Sequence, residues 1–329
     1  MNKSAFYAEA QQFLHFLEAQ MIRTKVKLKD HWSIDHLCYR TETIENYEDM
    51  KRFFPEVGEL LIESLVNGRL IATYKLFEPV SFLGREITLV ELPAPKLNKP
   101  VKEGFEHIEV VVDESFQHIR FSYPCHYFNE AGLQKDFNQE LEMGFEDCAI
   151  KFHYLSLESV IRLEKNEKVF KALKGSKVLD KFRKFQPLVA GTFPLDIHEA
   201  GSDLDILLQV RDESELAGFP EYTWEKLLIQ GKESWLAHFE YEGVPFELFA
   251  QKTPTYEQTA YRHFQIEERL LRLGGEELRR KVKEARSRGL KTEPAFAYVL
   301  KLEGDSFEEL LKLHSWNEKE LSEFIQKRR

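Results

Sequence analysis

Asp203 and Asp205 stand two residues apart at the start of an apolar run, Leu204 to Val210, that reads as a strand. Side chains two apart leave the same face of a strand. Two neighbouring carboxylates repel, and a divalent cation between them removes that cost. Ser-Asp-x-Asp is also an ordinary turn sequence, in which Ser and Asp bond nearby backbone groups, so the surroundings must decide. Upstream, Ala190-Gly191-Thr192 is a small-residue turn able to bring N–H groups close to phosphate oxygens. Downstream, Trp235–Tyr241 and Val244–Ala250 flank Glu242-Gly243, which predicts a hairpin whose second strand carries Glu247. A turn, an acid pair and a third acid suit a metal and a phosphate. Ser202 either assists a phosphate or caps the turn.

A second set of donors lies in the other half of the chain. Asp35-His36-Leu37-Cys38-Tyr39-Arg40 reads as a strand, Asn46 to Phe54 as a helix, and Glu59–Val66, Leu70–Phe77 and Glu86–Leu92 as three strands, the first two joined across Asn67-Gly68-Arg69. After the connector Pro93 to Pro100, Phe105–Val112 opens a second module that closes on Asp147–His153. The pattern predicts a degenerate duplication with a donor on each opening and closing strand: His36 and Glu91, then His107 and His153. Imidazole with carboxylate suits iron, manganese, nickel or zinc. The alternative for His36 and His153 is a satisfied core histidine. An unpaired carboxylate at Glu91, inside the run Ile87 to Leu92, would be costly. Glu106 and Glu109 read as supporting or solvated groups, with Glu106 facing away from His107. Arg69 and Lys75 either clamp an anionic substrate or are solvated strand charges.

The rest of the chain must position these groups. Its 329 residues allow two domains of ordinary size. A formal net charge of -10 argues against a globally basic nucleic-acid binder, so nucleic acid is not the favoured partner. Cys38, Cys125 and Cys148 lie far apart with no Cys-x-x-Cys pair, which predicts a reducing compartment. With no charged leader and no apolar run of membrane-spanning length, the expectation is a cytoplasmic protein without a membrane partner. Phe6, Ala10, Phe13, Leu17 and Met21 give Ser4 to Ile22 a helical period. The charged stretch Arg162 to Lys184 predicts a surface helix and linker, placing the cut near residue 170. Thr255 to Arg288 predicts helices broken at Gly274-Gly275, rich in Arg and Lys; this is either a solvated face balanced by Glu276, Glu277 and Glu284 or a phosphate contact, with Arg262 and His263 the favoured contacts. Ser306-Phe-Glu-Glu309 has capping-box spacing.

These residues carry two resemblances. Gly191-Thr192, Asp203-Leu204-Asp205 and Glu247 resemble the nucleotidyltransferase superfamily, and Ala190 to Leu311, with Tyr261-Arg262-His263 and Gly289-Leu290-Lys291-Thr292-Glu293-Pro294-Ala295-Phe296, looks like an uncharacterised bacterial family within it. The resemblance implies magnesium on Asp203 and Asp205, a proton accepted by Glu247, and an NTP held at Gly191-Thr192 for attack by a hydroxyl acceptor. Thr192 stands where Ser is commoner. Phe6 to Leu163 resembles the YecM family, related to the vicinal oxygen chelate superfamily of glyoxalases and dioxygenases, through Asp35-His36, Glu59-Leu60-Leu61, Asn67-Gly68-Arg69, Tyr74-Lys75-Leu76, Val90-Glu91-Leu92-Pro93, Glu106-His107-Ile108-Glu109 and Ile150-Lys151-Phe152-His153. That resemblance implies paired βαβββ modules around a metal cleft with His36, Glu91, His107 and His153 as ligands. His153 stands where many glyoxalase-type enzymes have Glu, which argues against a glyoxalase reaction.

The expectation is therefore an α+β chain: a metal-binding domain over 1–170, then a nucleotidyltransferase-like α/β domain with a helical appendage over 171–329. Two alternatives stay open. One is a non-catalytic metal- or nucleotide-binding sensor, because ligands can outlast chemistry; the other is oxygenase or isomerase activity in the first domain alone.

Overall fold

The computed structural model describes residues 1–66, 68–96 and 101–328. By contacts the chain forms two units, Met1–Lys135 with Gln139–Leu157, and Asp136–Asn138 with Glu158–Arg329. The expected cut near residue 170 falls inside a helix of the second unit.

The first unit begins with α1 (Lys3–Thr24), whose buried side chains are Phe6, Ala10, Leu14, Leu17, Gln20 and Met21. Then follow β1 (Ser33–Arg40), α2 (Ile44–Phe53), β2 (Gly58–Val66), β3 (Arg69–Phe82) and β4 (Arg85–Pro93). The same order repeats as β5 (Gly104–Val111), α3 (Phe116–Ser122), β6 (Tyr127–Asn129), β7 (Glu140–Gly144) and β8 (Ala149–His153). One eight-stranded sheet runs β2-β3-β4-β1-β5-β8-β7-β6. Opening and closing strands pair in parallel within each repeat, β1 with β4 and β5 with β8, and the repeats meet where β1 lies antiparallel to β5. All four strands expected to carry donors are thus adjacent at the middle of the sheet.

Apolar residues of β1, β4, β5 and β8 alternate onto one face, where Leu37, Val90, Ile108 and Ile150 join a core closed by Phe6, Tyr47, Phe54 and Phe152. That period of two sends every other residue to the opposite face, and there the polar set lies. Of the expected hairpin turn Asn67-Gly68-Arg69, Asn67 is outside the described residues and Gly68 takes a φ of 78°. Residues 97–100 of the expected connector are likewise outside them.

The second unit contains α4 (Leu157–Lys165), α5 (Glu167–Ser176), α6 (Val178–Lys181), β9 (Leu188–Ala190), β10 (Leu204–Gln209), β11 (Glu225–Ile229), β12 (Lys232–Tyr241), β13 (Val244–Gln251), α7 (Thr259–Ser287), α8 (Thr292–Leu300), α9 (Ser306–Lys312) and α10 (Glu318–Gln326). Its sheet runs β11-β12-β13-β10-β9, with β10 parallel to β13 and the other pairs antiparallel. α7 breaks at Gly275, whose φ of 66° and ψ of -167° are open to glycine and strained for other residues. The capping-box expectation at Ser306 is corrected: Asp305 caps α9, accepting from the N–H groups of Phe307 and Glu308, because the extended residue that precedes the helix is Asp305 and Ser306 is already helical. The capping box is at α10, between Asn317 and Glu320. Among the described residues no helix is long and apolar enough to cross a membrane.

Candidate functional site

In the first unit, register places Cys38 beside Glu91 and His107, and Glu109 beside both His36 and Lys151. Glu109 is the hub. Its Oε1 lies 3.2 Å from His107 Nε2, 3.5 Å from His36 Nε2 and 3.3 Å from Lys151 Nζ, and its Oε2 lies 3.8 Å from His153 Nε2. Glu91 approaches from the other side, with Oε2 3.6 Å from His36 Nε2. Of the two readings of Glu109, supporting or solvated, the solvated one is corrected: it is two residues from His107 on one strand, hence on the same face, and buried. Glu106 does not face away either. Its Oε2 lies 2.9 Å from His107 Nδ1 and accepts from Arg40 Nε at 2.6 Å, and the β1–β5 register shifts at this point, between Cys38 and Tyr39, which breaks strict alternation.

The other ring nitrogens are held from behind. His36 Nδ1 lies 3.0 Å from Asp35 Oδ2, which also accepts from the Leu157 N–H at 2.8 Å and lies 3.4 Å from His153 Nε2. His153 Nδ1 lies 2.5 Å from the Leu155 carbonyl oxygen. Such partners orient an imidazole so that its second nitrogen is presented forward. Three groups result whose donor atoms all lie within 4.8 Å of one another: Asp35, His36 and His153; His36, Glu91 and Glu109; and Cys38, Glu106 and His107.

Electrostatics follow the same geometry. Burial opposes the charged form of every group here. Against it, Glu109 and Glu91 push His36 well above its usual range, and Lys151 and His36 hold Glu109 well below the carboxylate range. Burial and Lys151 act downward on His107, yet Cys38 and Glu106 bring it up to about 10. His36 and the two glutamates thus form an ion pair cluster that lacks hydrogen-bond geometry: 3.5 and 3.6 Å exceed an N–H···O bond. His36 Nε2 is buried without a hydrogen-bond partner. Donors sharing one ion at about 2.1 Å in a tetrahedral shell stand about 3.4 Å apart, so this spacing fits a divalent metal.

Arg69 and Lys75 lie on β3, and neither joins these donor groups. Arg69 Nη1 donates to the Ala94 carbonyl at 3.3 Å, and Lys75 pairs in register with Glu59 and Leu89.

In the second unit, Asp205 and Glu247 are register partners on β10 and β13, and Asp203 precedes β10 by one residue. The donor group here is Asp203, Glu247 and His238, the last placed opposite Glu247 on β12; Asp205 is not in it. Asp205 instead lies against Gly191, where a Cβ would meet its Oδ2 at 1.6 Å, so only glycine fits, and Gly191 takes a φ of 75°. Burial, then Glu247 and Asp203, raise Asp205 well above its usual range; burial raises Glu247, against His238 and with Asp203. Thr192 follows Gly191 in the turn, and the Ser202 hydroxyl accepts from the Glu199 N–H at 2.9 Å, capping its turn. Arg262 is exposed on the first turn of α7, whereas His263 is buried, with Nε2 3.0 Å from the Phe307 carbonyl and Nδ1 3.3 Å from Glu293.

Sequence reasoning passed over Asp35, Cys38, Lys151 and His238 as donors and set Glu109 aside as a supporting or solvated group. The signal for three of them was the period of two: Cys38, Glu109 and Lys151 each stand two residues from a histidine already singled out. His238 is a cross-strand neighbour, visible only once the hairpin register is known.

Comparisons with known proteins match two separate stretches of the chain. Residues 2–143 match the family described as YecM protein, and residues 171–313 match a domain of unknown function, DUF4269. Protein YecM of Escherichia coli is 36% identical over 101 residues, 31% of this chain and 53% of that protein. An uncharacterized protein of Haemophilus influenzae is 37% identical over 82 residues, 25% of this chain and 43% of that one. The chain spans about half the length of the curated relatives it matches. A solved glyoxalase I mutant from Zea mays aligns over 67% of this chain and 69% of its own, at 12% identity and a TM-score of 0.16, too slight a likeness to carry an argument. The amino-terminal region of this chain therefore carries the YecM family.

Proposed function

We propose that the first unit is a divalent-metal centre on a vicinal-oxygen-chelate plan, acting on a small anionic molecule. His36, Glu91 and Glu109 would hold the ion, with His107 and His153 at its edge; iron, manganese, nickel and zinc all suit this donor set. The observation that carries the reading is the buried His36 Nε2, without a hydrogen-bond partner and faced by two carboxylates at 3.5 and 3.6 Å. A bound metal would supply Lewis-acid chemistry, polarising a substrate oxygen; oxygenase or isomerase activity follows from that class, and a sensor would keep the site without turnover. The test is elemental analysis of the purified full-length chain after metal-replete and metal-limited preparation. Near-stoichiometric metal in the wild type, lost in His36→Ala and Glu91→Ala, is expected; a metal-free wild type under both conditions defeats the reading.

A second reading concerns residues 171–329: a magnesium-dependent, nucleotidyltransferase-like domain that moves a nucleotidyl group from an NTP to a hydroxyl acceptor. Asp203, Asp205 and Glu247 would hold magnesium, and Gly191 and Thr192 the phosphates. It is favoured by the crowding of Asp203, Asp205 and Glu247, whose mutual repulsion adds to burial in raising Asp205. Labelled-nucleotide incorporation that disappears in Asp203→Asn supports it, and magnesium-dependent binding without turnover over a broad acceptor panel leaves a sensor. A reducing, cytoplasmic setting accords with free thiols at Cys38, Cys125 and Cys148.

A further inference from the structure

Beside the donor groups, the described residues of the first unit line a cavity of about 210 Å³ where β1 and β4 end and β3 begins, walled by Arg40, Thr41, Arg69, Lys96 and Glu106 and by the Pro93-Ala94-Pro95 stretch. Its lining brings two guanidinium groups, Arg40 and Arg69, together with one acid, Glu106. Glu106 is already committed, since its Oε2 meets both Arg40 Nε at 2.6 Å and His107 Nδ1 at 2.9 Å. Among the described residues Arg40 bonds through Nε alone, leaving both Nη groups without a protein partner, and the one hydrogen bond of Arg69 is the long contact to Ala94. Burial, then the neighbouring Arg40, hold Arg69 below the usual guanidinium range, against the opposing pull of Cys38, Glu91 and Glu106.

We infer that this cavity is a subsite for the carboxylate of a small organic acid. Planar guanidinium groups with unused N–H pairs recognise carboxylates two-pronged. The volume admits a few-atom acid and is below the range of pockets for drug-sized ligands, roughly 300 Å³ and upward. The adjacency is direct: Glu106 joins the cavity to His107, so an acid anchored at Arg69 and Arg40 reaches toward the donor groups. The inference deepens the metal-centre reading and rests on it for the word substrate, whereas anion binding itself needs no metal.

The test is calorimetric titration of the full-length chain, metal-stripped and metal-loaded, with malonate, and with inorganic phosphate in parallel. Malonate is expected to bind in the roughly millimolar range in both forms, about tenfold more weakly in Arg69→Gln, and unchanged in Lys75→Gln, which lies on the same strand outside the cavity. Arg40→Lys keeps the charge and loses the fork; it is expected to weaken malonate several-fold and covers the case in which Arg69→Gln does not fold. No binding of malonate, equal binding to both Arg variants and the wild type, or tighter binding of phosphate overturns the inference. Malonate binding by a chain that never holds metal would leave the subsite standing and remove the metal centre. A loaded chain that ignores malonate would do the reverse.

Discussion

Two buried glutamates show opposite solutions to one problem. Glu109 brings a carboxylate into the sheet and surrounds it with Lys151, His36 and His107, and these hold it ionised against burial. Glu267, on α7, is 4% exposed, and its Oε1 has no hydrogen-bond partner. Burial, then Glu293, raise it well above its usual range, with Arg286 opposing and Asp205 adding. A carboxyl whose folded value is raised contributes stability that is complete below its unfolded value, about 4.5, and that is lost as pH rises through the folded value. Glu267→Gln keeps the shape and removes the titration. Its unfolding free energy from urea titration should match the wild type near pH 4.5 and exceed it at pH 8, by on the order of 1 kcal/mol or more, the scale of an unsatisfied buried polar group. A constant difference between the proteins across that range would show that Glu267 does not titrate against folding.

At the scale of elements, legibility followed length and period. β1, β4, β5 and β8 were readable because apolar residues recur every second position and one face is buried, and α1 because its apolar residues recur every three to four. The middle of the second repeat was not: β6 has three residues and β7 five, too short for alternation to stand out. The break in α7 was legible as a glycine pair, and Gly275 is where the backbone leaves the helix. Caps were less so, because Asp305 and Ser306 are both good caps and only backbone geometry separates them. The site divided in the same way. His36, Glu91, His107 and His153 were legible as polar interruptions of apolar strands. Glu109 was discounted as one charge among several on its strand, although strand parity alone puts it beside His107. Cross-strand partners such as His238 depend on register, which sequence leaves free until the turn between the strands is known.

The whole molecule is two units, each with its own sheet, and the core that joins Phe6 to Phe152 belongs to the first alone. Separate cores melt separately unless the interface between them is large, so a calorimetric scan of the full-length chain should resolve two transitions. A ligand stabilises only what binds it: at a free concentration about 100 times its dissociation constant, a metal adds ~2.7 kcal/mol to the unit that holds it. Zinc or manganese should therefore raise one transition and leave the other in place, and His36→Ala should abolish that shift without moving the second transition. Asp203→Asn should leave the metal-dependent shift intact, because its carboxylate belongs to the other unit. A single transition that moves as a whole on metal addition would mean that the two units fold as one, and that the donor groups of the first are read out through the second.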